Sequence, residues 1–316
     1  MNTVRGWLSR HHQLLRFGGS VFSIALLVYL LTRQGWSEIT RAFLQIPVRV
    51  FVLVAVAMII SRFAVSGRWY ALLRVTDQEA TWRKTVYLTF AGLFATNFLP
   101  TTIGGDVVRV AGAVQYGINV SVATASVVID RLIGLFGMAL MVPFGVWPFI
   151  TAGQATFRFP PVQLTIVLPL HRLWYKTLEF LQRILTSVHF WRQRPVSLLE
   201  SLVFTFIHMF CFFCVIWGLF WGLNDPMPFI LVAGLYSLVY FITLLPISIN
   251  GYGVQEISIS LIFSQVGGVS MQHTLTVALI FRTLTMLASL PGAIFVPGII
   301  AGHRGEAVED MDSGEV

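Results

Sequence analysis

Seven charged residues stand inside the long apolar runs of this sequence: Arg62, Asp106, Arg109, Asp130, Arg131, Glu256 and Arg282. A charged side chain at the centre of a bilayer costs at least about 2.5–3.5 kcal/mol, so each of these needs a partner or an aqueous cavity. Asp106 and Arg109 sit at i and i+3 of a helix and can pair locally. Asp130 and Arg131 are adjacent, point in different directions and must each find a partner elsewhere. Arg131 and Arg282 occupy matching places in the internal repeat described below. Their planar guanidinium groups could grip one anionic group from two sides, a geometry that suits phosphate. Glu256 could accept a proton, hold a cationic headgroup or favour the start of a helix. The plainer reading of the whole set is internal ion pairs that only fasten the bundle.

Two backbone breaks accompany these charges. Leu99-Pro100-Thr101-Thr102-Ile103-Gly104-Gly105 and Leu245-Pro246-Ile247-Ser248-Ile249-Asn250-Gly251 share L-P-x-x-I-x-G at an offset of 146 residues. Proline ends a first helical leg, and glycine lets the chain reverse. Second legs are then expected to begin at Gly105-Asp106 and at Gly251-Tyr252-Gly253. Their free N–H groups and positive dipole ends suit an anion, phosphate above all. Asn97, Thr101, Thr102, Ser248 and Asn250 could add neutral donors. The candidate binding set is therefore Asn97, Gly104, Gly105, Asp106, Arg109, Asp130, Arg131, Ser248, Asn250, Gly251, Gly253, Glu256 and Arg282, with no catalytic residue and no metal ligand among them.

Other signals are weaker. Cys211-Phe-Phe-Cys214 lies inside an apolar span with no second pair, which argues against metal or redox use. His208, one turn earlier, reads as a hydrogen-bonded residue at a helix interface. No Walker loop, HExxH, GxSxG or dinucleotide fingerprint is present, so neither a cofactor nor an enzyme activity is expected.

The elements that must position these residues follow from composition. The 316 residues are 56% hydrophobic and only 11% charged, with mean hydropathy +0.78. Soluble domains carry about 25% charged residues, so a water-facing surface cannot be built from this chain, and an all-α polytopic membrane protein is expected. The formal charge of +7 is read as basic loops against an anionic leaflet and not as a nucleic-acid surface. About six full spans are expected, at 17–32, 47–67, about 125–148, about 157–172, 199–222 and 275–298, with two re-entrant broken hairpins between them. The single membrane domain covers 1–303, with repeat 1 about 14–150 and repeat 2 about 157–300. An amphipathic interfacial helix is expected within 172–194 and an acidic disordered tail over 304–316. With both termini cytoplasmic, thirteen basic residues, Arg68 among them, fall on the inner side against four outside: Arg33, Arg41, Arg49 and Arg158. That bias obeys the positive-inside rule and makes the repeat inverted. Tryptophans 36, 69, 82, 147, 174, 191 and 221 fall near span ends, as an aromatic belt requires.

Asn97-Phe98-Leu99-Pro100, Gly104-Gly105-Asp106 with Arg109, and Ala125-Ser126 with Asp130-Arg131 and Gly134 resemble the first signature of the lysylphosphatidylglycerol synthase transmembrane (flippase) family. Pro246-x-Ser248-x-x-Gly251-x-Gly253-x-x-Glu256 resembles its second. The resemblance covers roughly residues 10–300. It implies an inner-membrane module that moves anionic or aminoacylated phospholipids, or polyprenyl-linked glycolipids, between leaflets. Fused members carry a soluble aminoacyl-transferase domain, whose chemistry is not transferred to this chain. Two other readings stand beside a lipid translocase. One is an accessory subunit of a membrane synthase or glycosyltransferase; the other is a secondary transporter for a small organic anion. Oligomeric state is not legible.

Overall fold

The computed structural model describes residue 29 and residues 36–74, 80–98, 104–151, 195–245 and 248–299. Among the described residues all regular structure is helical, in the order α1 (Trp36–Gln45), α2 (Val48–Leu73), α3 (Trp82–Phe98), α4 (Gly104–Gln115), α5 (Val120–Thr151), α6 (Pro195–Gly222), α7 (Phe229–Thr243), α8 (Val254–Gln265) and α9 (Met271–Leu287). Short 3-10 turns lie at Ile249–Gly251 and Leu290–Ile294. Four stretches are long and apolar enough to cross a bilayer: Val48–Leu73, Val120–Pro148, Pro195–Gly222 and Met271–Ile294. The other two expected spans, the interfacial helix of 172–194 and the acidic tail lie outside the described residues.

The long helices are built inside out. On α2 beyond its first turn the exposed positions are Val52, Leu53, Val56, Ile59, Ile60 and Phe63, all apolar, while Ser61, Arg62, Ser66 and Arg68 are buried. Helical spacing therefore sorts the apolar residues toward lipid and the polar ones toward the protein interior. Buried hydroxyls turn back on their own helix: Ser66 to the Arg62 carbonyl, Thr205 to that of Ser201 and Ser237 to that of Ala233. No polar hydrogen on these groups is then left facing hydrocarbon.

Between the spans, α3/α4 and α7/α8 are packed pairs of short helices. At 1.5 Å per residue the twelve residues of α4 and of α8 reach about 18 Å, well short of a bilayer core. These are the two broken hairpins. Their start points differ from the expected ones. The return legs begin at Gly104 and Val254, so the second turn is four residues longer than the shared L-P motif implies. The extra chain holds the 3-10 turn, in which Asn250 (φ 55°) and Gly251 (φ 70°) are left-handed, and Gly253 (φ 76°) caps α8. Glycine bears such angles without cost, and asparagine is among the few other residues that visit them. The structural equivalent of Asp106 is consequently Glu256, and Gly251-Tyr252 has no counterpart in the first half.

The halves α2–α5 and α6–α9 have the same element order, and the equivalent helices α2 and α6 run antiparallel. Along α2 and α6, Arg74 meets Glu200, Gly67 meets Phe204, Ser61 meets His208, Val54 meets Gly218 and Val50 meets Gly222. The repeat is thus inverted, with α2 and α6 crossing at its centre. Two further large interfaces are exchanged between halves. α5 packs on α7, and the turn after α9 packs on α3. Each exchange is made where a glycine lets two backbones touch, Gly145 against Gly234 and Gly292 against the Phe90 carbonyl.

Two expectations from the sequence are corrected here. Arg68 is not a loop residue: α2 extends through Leu73 and Arg68 is buried. Trp69 is not part of an interfacial belt. It is fully buried and donates its Nε1–H to Ser126 Oγ at 3.0 Å, whereas Trp82, Trp147 and Trp221 are exposed.

Candidate functional site

The buried polar faces of α2, α5, α6 and α9 and the legs of both hairpins line a cavity of about 290 Å³. One apolar cluster around Met58, Phe212, Phe263 and Phe281 and another around Trp69, Leu88, Val108 and Val127 flank it. Within this setting, two carboxylates and five guanidinium groups line the wall. Asp130, only 1% exposed, is the hub. Arg68 from α2 holds it in a bidentate fork, Nε to Oδ1 at 2.6 Å and Nη2 to Oδ2 at 3.1 Å. Arg109 from α4 donates to the same Oδ2 at 3.1 Å. The Arg109 guanidinium lies 4.1 Å over the Trp69 ring. Trp69 and Ser126 thus form a floor that keeps Arg109 level with Asp130.

Beside the hub are two matched ion pairs. Arg131 of α5 donates to Asp106 Oδ2 from Nε at 3.0 Å and approaches it from Nη2 at 2.9 Å. Arg282 of α9 donates from Nε to Glu256 Oε1 at 2.5 Å and from Nη2 to the Gly251 carbonyl at 3.3 Å, its guanidinium 4.7 Å from the Tyr252 ring. In each half, a carboxylate in the first turn of a return leg holds an arginine from the following long helix. The inversion makes the two pairs equivalents. They are unequal in exposure: the Arg131 side chain is 47% exposed and that of Arg282 13%.

The sequence-selected residues are therefore distributed as follows. Asn97, Gly105, Asp106, Arg109, Asp130, Arg131, Asn250 and Arg282 line the cavity. Glu256 and Gly251 stand behind Arg282 as its partners. Gly104 and Gly253 start the return legs, and Ser248 is buried without lining the cavity. Asn97 is structural as well, since its amide donates to Ser289 Oγ at 2.9 Å and its carbonyl accepts from the Tyr252 hydroxyl. The local Asp106–Arg109 pair survives only as a long contact of 3.7 Å, each partner being engaged more closely elsewhere. Thr101, Thr102 and Pro100 lie outside the described residues. His208 is hydrogen-bonded across α2 and α6, with Nδ1 2.7 Å from Ser61 Oγ. Sequence reasoning missed Arg68, and it gave Arg62 no role. Arg62, Val65 and Arg68 recur at i, i+3 and i+6 along one arc of α2 that lines the cavity, and that spacing is the signal by which they could have been found.

A second feature adjoins the cavity. α4 and α5 form an apolar groove of about 640 Å³, walled by Val107, Val110, Val127, Leu132 and Leu135 among others. Val107 and Val120 on its rim are more than half exposed. Asp106 and Arg131 line both the groove and the cavity. Their ion pair stands at the junction of a cationic chamber and an apolar groove.

An inverted-repeat membrane bundle with charged residues gathered at its two broken hairpins has the architecture of transporters that bind near the midplane. The family model described as the lysylphosphatidylglycerol synthase TM region matches residues 16–292, and the chain belongs to that family, a membrane domain associated with lipid-related function. A comparison with curated proteins finds no significant match.

Proposed function

We propose that the protein is a lipid translocase that moves a phosphate-bearing lipid between the leaflets of the cell's inner membrane. The observation that carries this reading is the junction at Asp106 and Arg131, which joins a cationic chamber to an apolar groove. A headgroup can enter the chamber while its acyl chains stay in the groove or in lipid, so no charge crosses hydrocarbon unaccompanied. Arg109, Arg131 and Arg282 offer guanidinium donors to the phosphate, and Asp106, Asp130 and Glu256 hold those groups in place between cycles. The inverted pair at Glu256 and Arg282 supplies a matching doorway toward the other leaflet. The reading assigns transport and no bond-making chemistry, and it places both termini on the cytoplasmic side.

Proteoliposomes holding the purified protein and a panel of fluorescent lipids test it. The expected result is transfer between leaflets that depends on headgroup and falls roughly tenfold or more in Arg131→Ala, the scale of one lost charge-assisted hydrogen bond. A folded Arg131→Ala protein that moves lipid at the parental rate would remove Arg131 from the mechanism. Movement of no phosphate-bearing lipid, polyprenyl phosphates included, would remove the translocase reading.

A further inference from the structure

The ion pairs of the cavity do not balance. Arg62, Arg68, Arg109, Arg131 and Arg282 line it, against Asp106, Asp130 and the Glu256 that Arg282 holds. Among the described residues this leaves an excess of two positive charges, and it can be localised. Arg68, Arg131 and Arg282 are each held in close contact by a carboxylate. Arg62 is not. It is 5% exposed, and no carboxylate among the described residues reaches it. Its Nη2 donates only to the Met58 thioether at 3.3 Å, its nearest ring is Phe212 at 5.5 Å, and its Nε has no hydrogen-bond partner. Arg109, 6% exposed, spends Nη1 on Asp130 and leaves Nε and Nη2 unpartnered.

A buried guanidinium without an anion destabilises a folded chain, and its retention calls for a ligand that supplies the missing charge. Guanidinium forks match the tetrahedral oxygens of phosphate. We propose that Arg62, with the spare donors of Arg109, receives the headgroup phosphate, and that the charge excess selects lipids of net negative headgroup over zwitterionic or aminoacylated ones. This narrows the substrate of the translocase reading, on which it rests for the lipid but not for the binding site. The binding role thus falls to Arg62, on the repeat's central helix pair. Arg131 and Arg282, each already held by a carboxylate, add only the donors which that contact leaves free.

Equilibrium binding to the purified, full-length protein in a neutral detergent tests this independently of transport. The probes are short-chain phosphatidylglycerol, phosphatidylcholine and lysyl-phosphatidylglycerol, with inorganic phosphate and glycerol phosphate as soluble arms. The expected result is a preference for phosphatidylglycerol of roughly tenfold or more over the other two lipids and over both soluble anions, the scale of one charge-assisted hydrogen bond. Arg62→Met is expected to abolish the preference while raising the melting temperature of the ligand-free protein, because it removes an uncompensated buried charge. A purely structural role for Arg62 would lower it. Arg62→Lys keeps the charge without the fork and is expected to retain part of the preference.

Equal affinity for the three lipids in the parent protein overturns the charge selection whatever the variants do. An unchanged preference in Arg62→Met overturns the role of Arg62. Soluble phosphate bound as tightly as the lipid overturns the lipid assignment. Anion-selective, Arg62-dependent binding in a protein that transports nothing would leave this site standing and remove only the translocase reading.

Discussion

Asp130 is the residue on which the site's geometry turns, because one buried carboxylate holds two arginines from different helices, at 2.6 and 3.1 Å. Removing its charge leaves Arg68 and Arg109 buried without their anion, and breaking a buried pair by deleting one partner costs about 3–5 kcal/mol. Asp130→Asn, which is close to isosteric, is therefore expected to lower the melting temperature sharply in detergent. Arg74→Ala breaks the half-exposed pair with Glu200 and is expected to cost about 1 kcal/mol or less. Equal melting temperatures for the two variants would show that Asp130 is not the hub. The intramembrane charges themselves were legible in the sequence, since their cost in lipid forces them together whatever the fold. Who pairs with whom was not. Asp106 was expected on Arg109 three residues away, yet it meets Arg131 on the next helix. Arg68 was hidden for a different reason. It follows Gly67 at the end of an apolar run, where a basic residue also marks a cytoplasmic loop, and only its spacing from Arg62 points inward.

At the scale of elements, the exchanged interfaces rest on two close backbone approaches. A side chain at Gly145 would collide with the Gly234 backbone, and one at Gly292 with the Phe90 carbonyl. Because the inversion makes α5·α7 and the α3 contact equivalent, Gly145→Val and Gly292→Val are expected to impair folding alike. The cost is typically 1–3 kcal/mol or more for overpacking. Gly298→Ala, with open space at its Cβ, is expected to be neutral. Yields of monodisperse protein after detergent extraction, with melting curves, compare the three. A tolerated Gly292→Val beside a failed Gly145→Val would deny the equivalence. Element order and the presence of both hairpins could be read from the paired L-P-x-x-I-x-G motifs and the lengths of the apolar runs. The register of the second hairpin could not. The motif match aligned its residues too early, because a left-handed Asn250-Gly251 turn and Gly253 lengthen the reversal before α8 begins. That displacement exchanges Tyr252 for Glu256 as the equivalent of Asp106, and with it the symmetric partner of the doorway.

For the whole molecule, inversion means that equivalent positions of the two halves face opposite sides of the membrane. Ser121 near the start of α5 and Gln272 near the start of α9 are such positions, displaced by the same 151 residues as Arg131 and Arg282. In a protein whose free cysteines, Cys211 and Cys214, are replaced by alanine, a membrane-impermeant maleimide added to intact cells is expected to label Gln272→Cys but not Ser121→Cys. In inside-out vesicles the pattern is expected to reverse. Labelling of both from one side would contradict the antiparallel crossing of α2 and α6, and a reversed pattern in both preparations would place the termini outside. The unequal doorways then acquire a direction. Arg131 is half exposed beside the apolar groove on the Ser121 half, while Arg282 is enclosed. On the translocase reading, the conformation described is open through α4 and α5 and closed through α8 and α9. A chain that alternates must reach the mirror state, in which Arg282 is exposed and Arg131 enclosed. Cysteines at Val107 and at Ile257, the equivalent places after Asp106 and Glu256, report it. With anionic lipid present, reactivity is expected to fall at position 107 and rise at 257, and two cysteines that respond in the same sense would rule out exchange between mirrored states.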